Sequence, residues 1–233
     1  MKVLSFDIGT RTLSYCMLEH VEGVLTVCAW ETIDVHAEAG LSEKAKPTMK
    51  EDAEYVLDTL GRRKAMFWSH APDAVIIEQQ PAGGANRFSS VRMKSISHVV
   101  HGYFYALQRA RDGDGMGMDG CIVPVQFVSP SSKLVGMDKG ETSKHTKARQ
   151  EGDRTAMGVK YRLNKQYAVD ATATLLATME GPRGQVARDT FEAASPKQDD
   201  LSDCFMLAYA FVRTTRKRKH TTPRERYRNI MNR

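Results

Sequence analysis

With 233 residues, 41% of them hydrophobic and 27% charged, the chain has the make-up of a water-soluble protein with one substantial core. No apolar run approaches the ~20 residues that span a bilayer, and Cys16, Cys28, Cys121 and Cys204 form neither a C-x-x-C pair nor a zinc spacing, which points to a reduced compartment. The net charge of +6 is local: residues 213–233 carry nine Lys or Arg against one acid, whereas the preceding 212 residues carry 25 bases and 27 acids.

The opening "MKVLSFDIGT" runs directly into an alternating strand, with no signal or transit sequence, so an intracellular location is expected. "KVLSFD", "LSYCML" and "VLTVCAW" read as three strands joined by the turns "IGTRT" and "EHVEG", an antiparallel start. Residues 37–50 form a polar connection, and from Glu51 the positions Ala53, Val56, Leu57, Leu60 and Phe67 mark an amphipathic helix. "DAVIIE" is a short apolar strand ending on Glu78. The loop "QQPAGGAN" leads to a helix from about Arg87 to Arg109. Its stripe holds Phe88, Val91, Val99, Val100, Tyr103 and Leu107 and suits either the core or, with Phe104, a subunit interface.

"RDGDGMGMDG" resembles a calcium loop only superficially, because Met116 stands where an oxygen ligand is needed. "CIVPVQFV" is a fifth strand, "SPSSK" a turn, 136–160 a polar insert, 161–179 a helix, 180–198 a loop, and the last helix opens on "KQDDLSD". Three antiparallel strands followed by parallel β-α-β additions make an α/β fold, a mixed sheet flanked by helices. It is expected to fill residues 1–212 as one domain, followed by a basic tail over 213–233.

Acids stand at three places where such a sheet brings chain ends together. Asp7 closes the first strand, Glu78 closes the fourth, and Asp199, Asp200 and Asp203 open the last helix. Each alone has an ordinary explanation as a turn former, a first solvated residue or a favourable helix start. Together they crowd negative charge at core strand ends, which is unfavourable without compensation. Divalent cations compensate it: carboxylates on separate elements can hold two Mg²⁺ or Mn²⁺ ions about 3.5–4 Å apart astride a scissile phosphate. Asp200 and Asp203 share a helix face at i, i+3, and Asp199 and Asp203 at i, i+4, so spacing does not choose between Asp199 and Asp200. Leu201, Phe205, Ala208 and Val212 form the opposite, core-facing stripe.

"LSFDIGTRTLSYCML", "VIIEQQPAGGANRFSSVRMKSISHVVHGYFYAL" and "KQDDLSDCFMLAYAF", in that order, resemble the RuvC-like Holliday junction resolvases, above all the poxvirus-type branch of large DNA viruses. The resemblance runs from Met1 to about Val212 and is weakest over 37–70 and 136–160. It implies a ribonuclease H-like fold and a homodimer that cuts four-way DNA junctions with Mg²⁺, Mn²⁺ substituting, two ions per site. It also implies a role in recombination or replication-intermediate resolution, at a viral replication site or in a nucleus. Asp7, Glu78, Asp200 and Asp203 match its metal-binding acids, which leaves Asp199 as an N-cap. Lys133 matches a basic residue at the cut phosphate, and Lys165 a second. Phe88 is a candidate for stacking on an opened base, and Arg216, Lys217, Arg218 and Lys219 for sequence-independent phosphate contact.

Three other readings bear on these residues. The first hairpin also resembles the phosphate loop of actin-like ATPases, but the chain is short for their two duplicated halves. A non-catalytic DNA-binding protein would have no use for converging acids that repel phosphate. A nuclease for flaps, bubbles or other branched DNA would share the metal chemistry. The seven histidines, His98 and His101 included, read as core or surface residues and not as catalysts.

Overall fold

The computed structural model describes residues 1–80, 87–113, 123–134, 156–195 and 197–220. Most of the polar insert, most of the "RDGDGMGMDG" loop and residues 221–233 of the tail lie outside these. Alternating apolar residues form β1 (Lys2–Ile8), β2 (Thr12–Val21) and β3 (Val24–Asp34), and the fully buried "AVIIE" forms β4 (Ala74–Glu78). With β5 (Val125–Val128) they make one sheet in the order β3-β2-β1-β4-β5. The β1–β2 and β2–β3 pairs are antiparallel, and β4 lies parallel to both β1 and β5. This is the mixed sheet expected from the sequence.

The period of two along β1 sends side chains to two cores. Leu4 and Phe6 point to the face covered by α2 (Met49–Ser69) and α3 (Arg87–Gly113), where Phe6, Phe67 and Phe104 meet ring to ring at 5.3–5.8 Å. Val3 points to the other face, covered by α4 (Ala156–Ala177), α5 (Gly181–Ala193) and α6 (Gln198–His220). Phe104 is thus core, Tyr103 packs against it, and Val91 is exposed, at 52%. Val100 and Phe104 of the α3 stripe serve the interior.

Three features depart from the sequence reading. The "loop" over 180–198 contains α5, because Pro182 sits in the first turn, where its missing N–H is harmless. Gly184 there is a packing requirement: a Cβ would stand 2.3 Å from the Met179 carbonyl oxygen. Second, α2 starts at Met49, two residues early, on a capping box in which Thr48 and Glu51 bond each other's backbone.

Third, α2 buries a charge. Asp52 is 1% exposed, 3.0 Å from His36 Nε2 in the short helix α1 (Val35–Glu38), and ion-paired to Arg92 of α3. Leu57, expected in the core, is 40% exposed.

Two directional bonds seat α6 on the sheet. Ser5 Oγ donates to the Cys204 carbonyl at 2.7 Å, and Trp30 Nε1 donates to the Leu201 carbonyl at 3.1 Å. Beyond the core residue Val212, α6 continues as helix to His220, so the basic segment begins inside it. Among the described residues no helix is long and apolar enough to cross a membrane.

Candidate active site

Each acid reaches the site by the element that carries it. Asp7 is the penultimate residue of β1, and the chain turns at once through Gly9, whose N–H donates to the Thr12 carbonyl at 2.9 Å. A side chain at Gly9 would lie 2.6 Å from Thr12 Oγ1, so the tight return beside Asp7 requires glycine. Parallel pairing of β4 with β1 sets Glu78 at the same sheet end, where ligands of α/β folds bind. After β5 the chain enters a 3-10 turn (Pro130–Leu134) that carries Lys133 back over this end, and α6 presents Asp203 to it.

The four side chains meet. Lys133 Nζ lies 2.8 Å from Asp203 Oδ2, 3.0 Å from Glu78 Oε1 and 3.7 Å from Asp7 Oδ1, with only 9% of the lysine side chain exposed. Burial works against its charge, but Asp7, Glu78 and Asp203 outweigh that and hold the ammonium above the ordinary lysine range. Burial also raises the Asp7 and Asp203 carboxyls, with Lys133 opposing in both cases.

Asp200 lies beside the group, its proton affinity pushed up to about 6 by burial and then by Asp199 and Asp7. Asp199 is not an N-cap: α6 starts at Gln198, which puts Asp199 in the first turn, ion-paired to Lys165 of α4. Lys165 Nζ also lies 5.1 Å from the centre of the Tyr161 ring, and Tyr161 is 60% exposed. Sequence reasoning had overlooked Tyr161, since a lone tyrosine in a polar stretch carries no pattern. Phe88 falls in the first turn of α3, and Arg216, Lys217, Arg218 and Lys219 in the last turns of α6. At 1.5 Å rise per residue those four lie ~20 Å or more along the axis from Asp203, so the structure does not bring them to the carboxylates.

The donors suit a hard divalent cation. They are carboxylate oxygens from three elements, with no thiolate or imidazole among them, and three of them already surround a positive charge. Among the described residues no three His, Cys, Asp or Glu are gathered as a ready-made cage; the carboxylates are spaced around the lysine ammonium.

A scan against protein-family models finds no match, and a search of curated proteins finds none. Among solved structures, the yeast mitochondrial Holliday junction resolvase Ydc2 matches with a TM-score of 0.56 and 14% identity, over 94% of this chain and 82% of that one. Fowlpox virus resolvase, in complex with its substrate Holliday junction DNA, matches with a TM-score of 0.50 and 18% identity, over 92% and 99%. The fold is that of the resolvases. In this fold Asp7, Glu78, Asp203 and Lys133 meet at the carboxyl end of the central strands, with Asp200 beside them.

The raised acids carry a stability cost with a definite sign. A carboxyl that binds its proton more tightly folded than unfolded weakens the fold as pH rises from about 4 through about 6. In chelator at pH 7.5, Asp200→Asn therefore raises Tm by about 2–4 °C, the shift that ~1 kcal/mol makes in a chain of this size, after discounting for the group's partial exposure. The gain disappears towards pH 4. Calorimetry across pH 4–8 checks it, and a variant that melts below wild type at neutral pH contradicts it.

Proposed function

We propose that the protein is a metal-dependent endonuclease that cleaves four-way DNA junctions by hydrolysing phosphodiester bonds. The observation that carries the reading is Lys133 Nζ set within 3.7 Å of three carboxylates from separate elements, at the ligand-binding end of a fold shared with two resolvases. Asp7, Glu78, Asp200 and Asp203 would hold Mg²⁺, or Mn²⁺ in its place, two per site. When bound, the metal supplies an activated water and neutralises charge on the leaving 3′ oxygen. Lys133 stays protonated beside its carboxylates and donates to the phosphate oxygen on which charge grows. Lys165 braces Asp199 and keeps the first turn of α6, which carries Asp200, in place. The seven histidines have no part in this chemistry.

A junction offers two symmetric cuts, which a C2 homodimer addresses together. The basic end of α6, remote from the carboxylates, contributes salt-dependent phosphate affinity on a neighbouring arm. The test is strand cleavage of a labelled immobile junction, with and without Mg²⁺, beside a linear duplex of the same sequence. Symmetric metal-dependent nicks, lost in Asp200→Asn, are expected. Equal cutting of the linear duplex would instead mean a nuclease of another specificity, and binding without cutting would mean an architectural protein.

A further inference from the structure

Neighbouring residues on an extended chain point to opposite faces of a sheet, and the residue after Glu78 opens a second concavity. Gln79, whose N–H donates to the Val128 carbonyl at 2.8 Å, lines with Gln80 a cleft of about 430 Å³ on the α3 side of the sheet end. Lys94 and His98 of α3, Phe127 of β5 and Pro130 complete its wall. The cleft and the carboxylate group thus share both supporting segments: Glu78 is followed by Gln79, and Pro130 begins the turn that carries Lys133. Consecutive Cα atoms are only 3.8 Å apart, so the two concavities adjoin along the chain at Glu78–Gln79.

The chemistry of the wall matches one nucleotide. Phe127 offers a flat apolar surface, with the rings of His98 and His101 each 5.2 Å from its centre. His98 Nδ1 stands 2.7 Å from the Lys94 carbonyl, so Nδ1 carries the hydrogen and Nε2 of the neutral ring is left as an acceptor. The amides of Gln79 and Gln80 offer paired donors and acceptors of the kind that read a base edge. Lys94 supplies a cation with no ion-pair partner among the described residues. The volume lies at the lower end of the range for small-molecule sites, enough for one base with its sugar and far too little for a duplex.

Resting on the nuclease reading of the carboxylate site, we propose that this cleft takes a single unstacked nucleotide of the strand whose phosphate lies at Lys133. The base lies against Phe127 and His98, the glutamine amides meet its edge, and Lys94 meets the adjoining phosphate. Catalysis then requires the strand to leave its stack at the cut, which branched DNA allows at low cost and an intact duplex does not.

The experiment places 2-aminopurine in turn at each nucleotide around the exchange point of a junction, and in a matched single strand, and titrates Asp200→Asn protein. Fluorescence is expected to rise several-fold at one position beside the cut, because the base leaves its neighbours. Adding Gln79→Ala or Lys94→Ala to that protein should lower the rise by at least half. With Asp200 intact, Gln79→Ala should narrow the cleavage ratio between junctions differing only at that nucleotide by roughly tenfold, the effect of one lost amide–base contact. No rise, or an equal rise in the cleft variants, overturns the proposal. A junction that is cut without any such rise leaves the nuclease reading standing and removes the cleft. A cleft-dependent rise on the single strand, with no junction cut, does the reverse.

Discussion

Asp203→Asn is expected to lower junction cleavage by roughly 10³-fold under single-turnover conditions while leaving the Kd for the junction equal or smaller. The size follows from the several kcal/mol that a bound cation contributes to a phosphoryl transition state, at 1.36 kcal/mol per factor of ten. Asparagine keeps the shape of the side chain, and Lys133 retains Glu78 at 3.0 Å and Asp7 at 3.7 Å, so the fold is unharmed. Binding does not suffer because one negative charge facing the DNA backbone is gone. Lys133→Ala should cost about 10²–10³ through the lost charge on the developing oxyanion. Quench-flow cleavage with gel-shift titration separates the two quantities. If Asp203→Asn cuts within tenfold of wild type, the carboxylates beside Lys133 are not where the bond breaks.

The second large effect lies far from that chemistry. Asp52→Ala should destabilise the protein by about 3–5 kcal/mol, because it strands two partners in a buried place, and lower Tm by roughly 10 °C. His36, itself 7% exposed, loses its 3.0 Å contact, and among the described residues Arg92 keeps only the Pro47 carbonyl at 2.8 Å. Asp52→Asn should fall between wild type and alanine, since one amide oxygen can still accept from Arg92. Differential scanning calorimetry at one pH measures all three. A fall below ~2 °C for alanine would mean that α1, α2 and α3 are held by their apolar contacts alone.

The contrast between these two sites explains what was legible in the sequence. Asp7, Glu78 and Asp203 could be placed because strand alternation and helix phase fix where a strand ends and which face a helix turns outward. Position on an element was then enough to bring them together. Asp52 lay beyond that reasoning: its partners are 16 residues back and 40 ahead, and an ion pair across such spans leaves no local period. The α5 helix was hidden by Gly181 and Pro182, ordinary loop residues that here begin a helix, with the Gly181 φ of +75° making the turn into it. Asp199 was misplaced by two helical positions, which was enough to exchange a cap for a partner of Lys165.

Apolar packing alone is a tolerant guide, since a greasy helix can slide or roll by a fraction of a turn at little cost. The bonds from Ser5 Oγ and Trp30 Nε1 to the carbonyls of Cys204 and Leu201 remove that tolerance, because each has a direction as well as a length. One of them reaches the residue next to Asp203 from a strand position two before Asp7. The spacing of the clustered carboxylates is thereby gauged from inside the core, so a mutation as small as the loss of one buried hydroxyl can shift a charged group it never touches.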